Sequence, residues 1–159
     1  MAVATFKPIA QLLRKAGLAT PLADGYWRFD MKRYLDLVGK ETRWNQLPGN
    51  TTYTANKSLL VASTDVRTSN SAAMYLAIAS YVRNGDRVVE NAAQGDKLVD
   101  EVAPLFLRQG FSEYSTEGPF EDYLTIGVGK TPMVMIYEAQ FLARAAARDG
   151  SIGPDRVLM

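Results

Sequence analysis

Apolar and polar positions divide the chain into short strand-like runs and longer helix-like segments. Compact runs of β-favouring apolar residues predict strands at 2–6, 59–62, 88–89, 123–126, 131–137 and 156–159. Apolar residues that recur at intervals of three and four predict helices at 8–16, 30–38, 71–82, 97–109 and 138–148. Asp30 and Asp96 are placed to cap two of these helices, and Pro104 is expected to kink or split one of them.

This alternation of strands with helices of about 10–13 residues is typical of α/β domains. We therefore predict a single α/β domain over residues 1–159, built as a three-layer α/β/α sandwich. Its central sheet is expected to be mixed but mostly parallel, with helices on both faces. Such sheets bind ligands in the crevice beyond the carboxyl ends of their strands, so the loops at those ends are the first places to search.

Composition narrows the function classes. The chain has neither cysteine nor histidine, which excludes thiolate metal sites, cysteine nucleophiles and every histidine-dependent catalytic arrangement. The net charge of +1 provides no basic footprint for nucleic acid. No apolar run reaches the roughly 20 residues needed to span a bilayer. We accordingly predict a protein that is not an enzyme, needs no cofactor or metal and does not bind nucleic acid.

Two motifs suggest chemistry but have simpler explanations. The segment GVGKTP, residues 127–132, lacks the glycine five positions before Gly-Lys that a phosphate-binding loop needs, and Pro132 opens a strand rather than a helix. It is therefore predicted to be a glycine-rich turn. The carboxylates at 96–101 and 117–122 fit a helix cap and solvated surfaces better than a catalytic pair.

The polar segment STDVRTSNS, residues 63–71, lies between the apolar run at 59–62 and a long helix with very little charge. A helix N-terminus presents unpaired N–H groups and the positive end of a dipole, which together bind anions. A single N-cap would explain one hydroxyl of this segment but not the whole cluster. We predict that a ligand contacts Arg67, Thr68, Ser69, Asn70 and Ser71.

Glu138 directly follows the predicted strand at 131–137 and starts a helix. A carboxylate there can bind a ligand, or it can simply complement the positive end of the helix dipole. Both interpretations remain open from the sequence.

The segments TFKPIAQLL, STDVRTSNSAAMYLA and TPMVMIYEAQFL resemble the second lobe of bacterial extracellular solute-binding proteins with the type II periplasmic-binding fold. The resemblance extends over the whole chain. It implies that the chain is one lobe excised from a larger two-lobe protein, with crossing strands near 1–6 and 156–159. It also implies ligand contacts by Thr5 and Phe6, by Ser69 to Ser71, and by Tyr137 and Glu138.

By this resemblance, the full-length protein would be periplasmic or extracellular, either secreted or membrane-anchored. It would capture a small polar or anionic solute between this lobe and the missing first lobe, and deliver it to the permease of a membrane transporter. The alternatives are a cytosolic ligand-sensing regulatory lobe or an enzyme domain on the same fold.

Overall fold

The computed structural model of the protein describes residues 1–110 and 112–159. The strands within this part of the chain are β1 (Ala2–Phe6), β2 (Ala19–Pro21), β3 (Trp27–Phe29), β4 (Met133–Ile136) and β5 (Arg156–Leu158). The helices are α1 (Lys7–Lys15), α2 (Met31–Gly39), α3 (Asn70–Arg83), α4 (Ala92–Asp96), α5 (Val99–Val102), α6 (Pro104–Leu107), α7 (Glu117–Thr125) and α8 (Glu138–Ala147).

The main sheet has three strands in the order β4-β1-β5, and both of its pairings are antiparallel. Strand β1 lies in the middle, with Ala2 opposite Ile136 and Thr5 opposite Met133. Strands β2 and β3 form a separate hairpin. Its turn at residues 22–26 contains Asp24-Gly25, a dipeptide typical of turns. Helices α1, α3 and α7 pack against the main sheet.

The predicted fold class is wrong. The two sheets are small and antiparallel, whereas a mostly parallel sheet in a three-layer sandwich was expected. Among the described residues, parallel pairing is confined to one isolated bridge between Ala62 and Val134. The period-two pattern that identifies a strand carries no information about its direction. Strand β1 and strand β4 are distant in sequence, so local signals did not fix how they pair.

Four of the predicted elements also differ. Residues 59–62, expected to form a strand, lie outside the named strands and pair only through the isolated bridge at Ala62. Residues 123–126, expected to form a strand, belong largely to helix α7, in which Phe120 and Tyr123 are buried three positions apart on one face. Residues 88–89 lie outside the named strands, and Val88 is 69% exposed. The segment 97–109 forms two short helices, and Asp96 ends the preceding helix α4 instead of capping a new one.

Several local predictions are confirmed. Asp30 caps α2, because its carboxylate accepts a hydrogen bond from the N–H of Arg33 at 2.9 Å. Pro104 divides the 97–109 segment and opens α6. The segment Gly127–Gly129 forms a short 3₁₀ turn before β4, as the simple interpretation of GVGKTP required.

One continuous apolar core joins the main sheet to the helices around it. Its fully buried members include Leu13, Leu35, Val61, Tyr75 and Ile136. The hydroxyl of Tyr34 lies inside this core and accepts hydrogen bonds from the N–H of Val61 at 3.0 Å and from the hydroxyl of Tyr75 at 3.1 Å. These hydrogen bonds connect residues 59–62 to α2 directly and to α3 through Tyr75. They fix the position of the polar segment that follows.

Candidate functional site

Two of the three predicted contact regions meet at one end of the main sheet. The N–H of Ala62 donates to the carbonyl of Met133, and the N–H of Met135 donates to the carbonyl of Ala62, each within 2.9 Å. The two segments thus run in parallel and end side by side. The polar segment after Ser63 and the end of β4 at Tyr137 consequently lie at the same edge. Helices α3 and α8 follow these two segments, so both helices begin beyond this end of β4.

The third region lies at the other end of the sheet. Because β1 is antiparallel to β4, Thr5 is opposite Met133 instead of Ile136. Three further residues of strand separate it from the end of β4, which is about 10 Å at the usual rise per residue. The Thr5 hydroxyl is buried and donates to the carbonyl of Pro132 at 2.7 Å. The structure therefore does not bring Thr5 together with the polar segment.

Phe6 also lies at this opposite end and belongs to the core. Its ring is 4.8 Å from the ring of Tyr123, and the guanidinium of Arg156 lies 4.2 Å from the ring centroid of Phe6. These contacts account for the aromatic residue at position 6 without a ligand.

A buried hydroxyl cluster, consisting of Thr64, Ser69 and Ser71, forms the inner part of the polar segment. Thr64 Oγ1 donates to Ser69 Oγ at 2.7 Å, and Ser71 Oγ lies 2.9 Å from Thr64 Oγ1 and 2.8 Å from Ser69 Oγ. All three residues are at least nine-tenths buried. Their hydroxyls satisfy one another, so the cluster mainly fixes the shape of the loop. Sequence reasoning missed Thr64, although it belongs to the same polar segment.

The N-terminus of α3 is left open by this arrangement. Ser69 is the N-cap residue, but its hydroxyl makes no capping hydrogen bond because it is directed into the hydroxyl cluster. Within the described residues, the N–H groups of Asn70, Ser71 and Ala72 have no protein acceptor. Asn70 and Thr68 are exposed. A helix of 14 residues therefore begins with unpaired donors at its positive end.

Arg67 lies immediately before these donors and its side chain is 83% exposed. It forms a bidentate ion pair with Asp65, at 3.0 Å from Nε and 2.6 Å from a terminal nitrogen. The hydrogen bonds from the Arg67 side chain are the largest reason that the pKa of Asp65 falls to about 2. The pair holds the guanidinium in place, and Asp65 offsets part of its charge.

Tyr137 and Glu138 flank this region on the other side. Tyr137 is 42% exposed, and its N–H donates to the side chain of Gln140 at 3.0 Å. Gln140 also accepts from the buried Thr116 hydroxyl, which ties α8 to the start of α7. Glu138 is exposed in the first turn of α8, a position at which a negative side chain complements the helix dipole. Both roles considered for Glu138 remain compatible with this position.

A cavity of about 500 Å³ adjoins the Arg67 loop. Thr64, Asp65 and Arg67 form its polar wall, while Phe106 and Leu107 form an apolar wall. Leu107 is 82% exposed. The position of the end of α6 beside this loop was not predicted, because the contact joins segments about 40 residues apart.

The described residues contain no group of three or more carboxylate, histidine or cysteine side chains arranged to hold a metal ion. In the same part of the chain, no helix is long and apolar enough to cross a membrane. Comparisons with protein-family models, curated proteins and solved structures found no match to this chain. The functional interpretation therefore rests on the geometry of the site.

Proposed function

We propose that the protein is a non-catalytic binding module that captures a small polar or anionic solute at the start of α3. The observation that carries this proposal is the N–H of Asn70, an exposed residue at the positive end of a 14-residue helix, which has no acceptor among the described residues. The N–H groups of Ser71 and Ala72 also have no acceptor there, but both residues are buried. The N-cap serine that would ordinarily satisfy one of them is bonded elsewhere. A bound oxyanion or carbonyl oxygen supplies the missing acceptors.

The neighbouring charges define the class of solute. Arg67 adds one exposed positive charge, and its partner Asp65 stays ionised because its pKa is lowered to about 2. The loop charges cancel to a first approximation, so the attraction comes mainly from the helix N–H groups and dipole. This balance favours a monoanion or a neutral polar molecule over a multiply charged one.

Closure of the site by another part of the same protein belongs to the same proposal. The site is a surface edge beside a 500 Å³ cavity. Met159, which follows β5, exchanges backbone hydrogen bonds with Val3, so both chain termini lie at the sheet end that carries Tyr137. A first lobe connected there would cover the solute. Export and delivery to a membrane transporter, as predicted from the resemblance, complete the proposal.

The test removes one donor from the helix and leaves its fold intact. Asn70 is the first helical residue, a position at which proline is well accommodated because its N–H has no intrahelical partner. Ser69 before it is already extended, with φ −116 and ψ 126, as a residue preceding proline must be. Asn70→Pro deletes the backbone N–H of residue 70. The matched control Asn70→Ala also removes the asparagine side chain but keeps the backbone N–H.

The probes are inorganic sulfate, inorganic phosphate and acetate. Each is titrated into the protein while the amide chemical shifts are followed by NMR. We expect shifts in the amides of residues 70–72 and a dissociation constant raised at least about 10-fold in Asn70→Pro, because one hydrogen bond to a charged group contributes roughly 1.5 kcal/mol or more. Asn70→Ala should bind within a factor of two of the native protein. Equal weakening in both variants, or no response at residues 70–72, contradicts the proposal.

A further inference from the structure

A second cavity, with a volume of about 570 Å³, has no residue of α3 in its wall. It opens between residues 57–63, the segment after α6 and the turn that precedes β4. Its floor consists of buried residues, including Trp44, Pro132 and Met133. Its rim carries exposed charged side chains, including Lys57, Arg108 and Lys130. A buried apolar floor with a charged rim fits the usual form of a small-molecule site.

Two residues on the cavity wall carry hydroxyls that make no hydrogen bond to protein among the described residues. Ser63 is 5% exposed and its Oγ is a fully buried atom without a partner, although its N–H is bonded to Gln109. Thr131 is 4% exposed, and its hydroxyl oxygen keeps some exposed surface. The Thr131 hydroxyl is therefore the one that a molecule in the cavity can reach.

The lining contains one cation, Lys57, and one carboxylate, Glu113, that form no ion pair within the described residues. Lys130 pairs with Asp122 at 2.6 Å, and Arg108 pairs with Glu41 at 2.7 Å. Lys57 has no carboxylate partner within the described part of the chain, and its ammonium donates to the carbonyl of Gly129 at 2.9 Å. Gly129 is two residues before Thr131. The Lys57 ammonium and the Thr131 hydroxyl therefore lie at the same end of the cavity.

We infer that this cavity binds a small monocarboxylate with an apolar body. The carboxylate would accept from Lys57 and Thr131, two donors with capacity to spare. The apolar body would pack against Leu60, Pro132 and Met133 on the floor. This site shares no donor with the start of α3, so the inference stands independently of the proposed function.

The experiment uses benzoate as the probe and Trp44 as the reporter. Trp44 is 1% exposed and lies on the cavity wall, and Trp27→Phe removes the other tryptophan so that the fluorescence reports on Trp44 alone. Benzyl alcohol is the uncharged comparison compound. Lys57→Gln removes the ammonium charge of Lys57. Thr131→Val removes the hydroxyl of Thr131 at nearly constant side-chain volume. Lys32→Gln, an exposed lysine of α2 outside the cavity, is the matched control.

We expect saturable quenching or enhancement by benzoate with a dissociation constant of about 1 mM, which is reasonable for a ligand of this size. Lys57→Gln and Thr131→Val should each weaken it at least about 5-fold, and Lys32→Gln should not. Asn70→Pro should bind benzoate normally, which separates this site from the one at α3. Failure of benzoate to change the signal, or equal binding of benzyl alcohol, overturns the inference.

Discussion

The tyrosine pair in the core provides the sharpest test of how the polar segment is positioned. Tyr34 accepts hydrogen bonds from Val61 N–H and from the Tyr75 hydroxyl, and all three residues are fully buried. Tyr34→Phe leaves two buried donors without an acceptor, each of which costs about 1–3 kcal/mol. Tyr75→Phe removes only a donor, and the bond between Tyr34 and Val61 survives. Its cost should be about 0.5–1.5 kcal/mol.

The free energy of unfolding, measured by urea denaturation followed by circular dichroism, should therefore fall by about 2–6 kcal/mol in Tyr34→Phe. Each kcal/mol corresponds to a Tm change of about 2–4 °C for a chain of this size. Tyr81→Phe is the control and should leave stability unchanged, because Tyr81 lies in α3 with Tyr75 but is 43% exposed. The double variant should cost less than the sum of the single changes, because the pair shares one bond. A Tyr75→Phe variant as unstable as Tyr34→Phe would refute this account.

Three further outcomes are expected from the same structure. Stability should fall as the pH rises from 10 towards 12, because burial raises the folded-state pKa of Tyr34 to about 12 and the unfolded chain releases this proton first. Denaturant titrations across that pH range should show a smaller fall in Tyr34→Phe. Ser71→Ala should lower stability by about 1 kcal/mol through loss of a hydroxyl-cluster bond, with Ser80→Ala unchanged in the same thermal melts. Gly17→Ala should cost about 1–2 kcal/mol in denaturant melts, because φ is +73 at this position.

The limits of prediction are clearest in α7 and in the main sheet. Residues 123–126 are apolar enough for a strand, but Phe120 and Tyr123 share a helical face that packs into the core, and the Tyr123 hydroxyl donates to the carbonyl of Thr5 at 2.8 Å. That contact joins residues 118 positions apart. A short apolar run is ambiguous between the two periods until its tertiary partners are known.

The candidate site was predictable in part for the same reason. The polar segment and Tyr137 follow apolar runs that are joined by one parallel bridge, between Ala62 and Val134, so both lie beyond the same end of β4. Thr5 and Phe6 were expected at the same edge, but β1 runs in the opposite direction and places them at the other end. The cavity near Lys57 was not predicted at all, because it is assembled from segments that are far apart in sequence.

The sequence by itself determined the features that depend on residue type and short spacing. These are the absence of histidine and cysteine, the cap at Asp30, the break at Pro104 and the cluster of hydroxyls before α3. Tertiary structure decided the direction of β1, the inward turn of the Ser69 hydroxyl and the orphaned hydroxyl of Ser63. Period and propensity are local properties of a chain, whereas strand direction and hydrogen-bond satisfaction depend on which distant groups fold against one another.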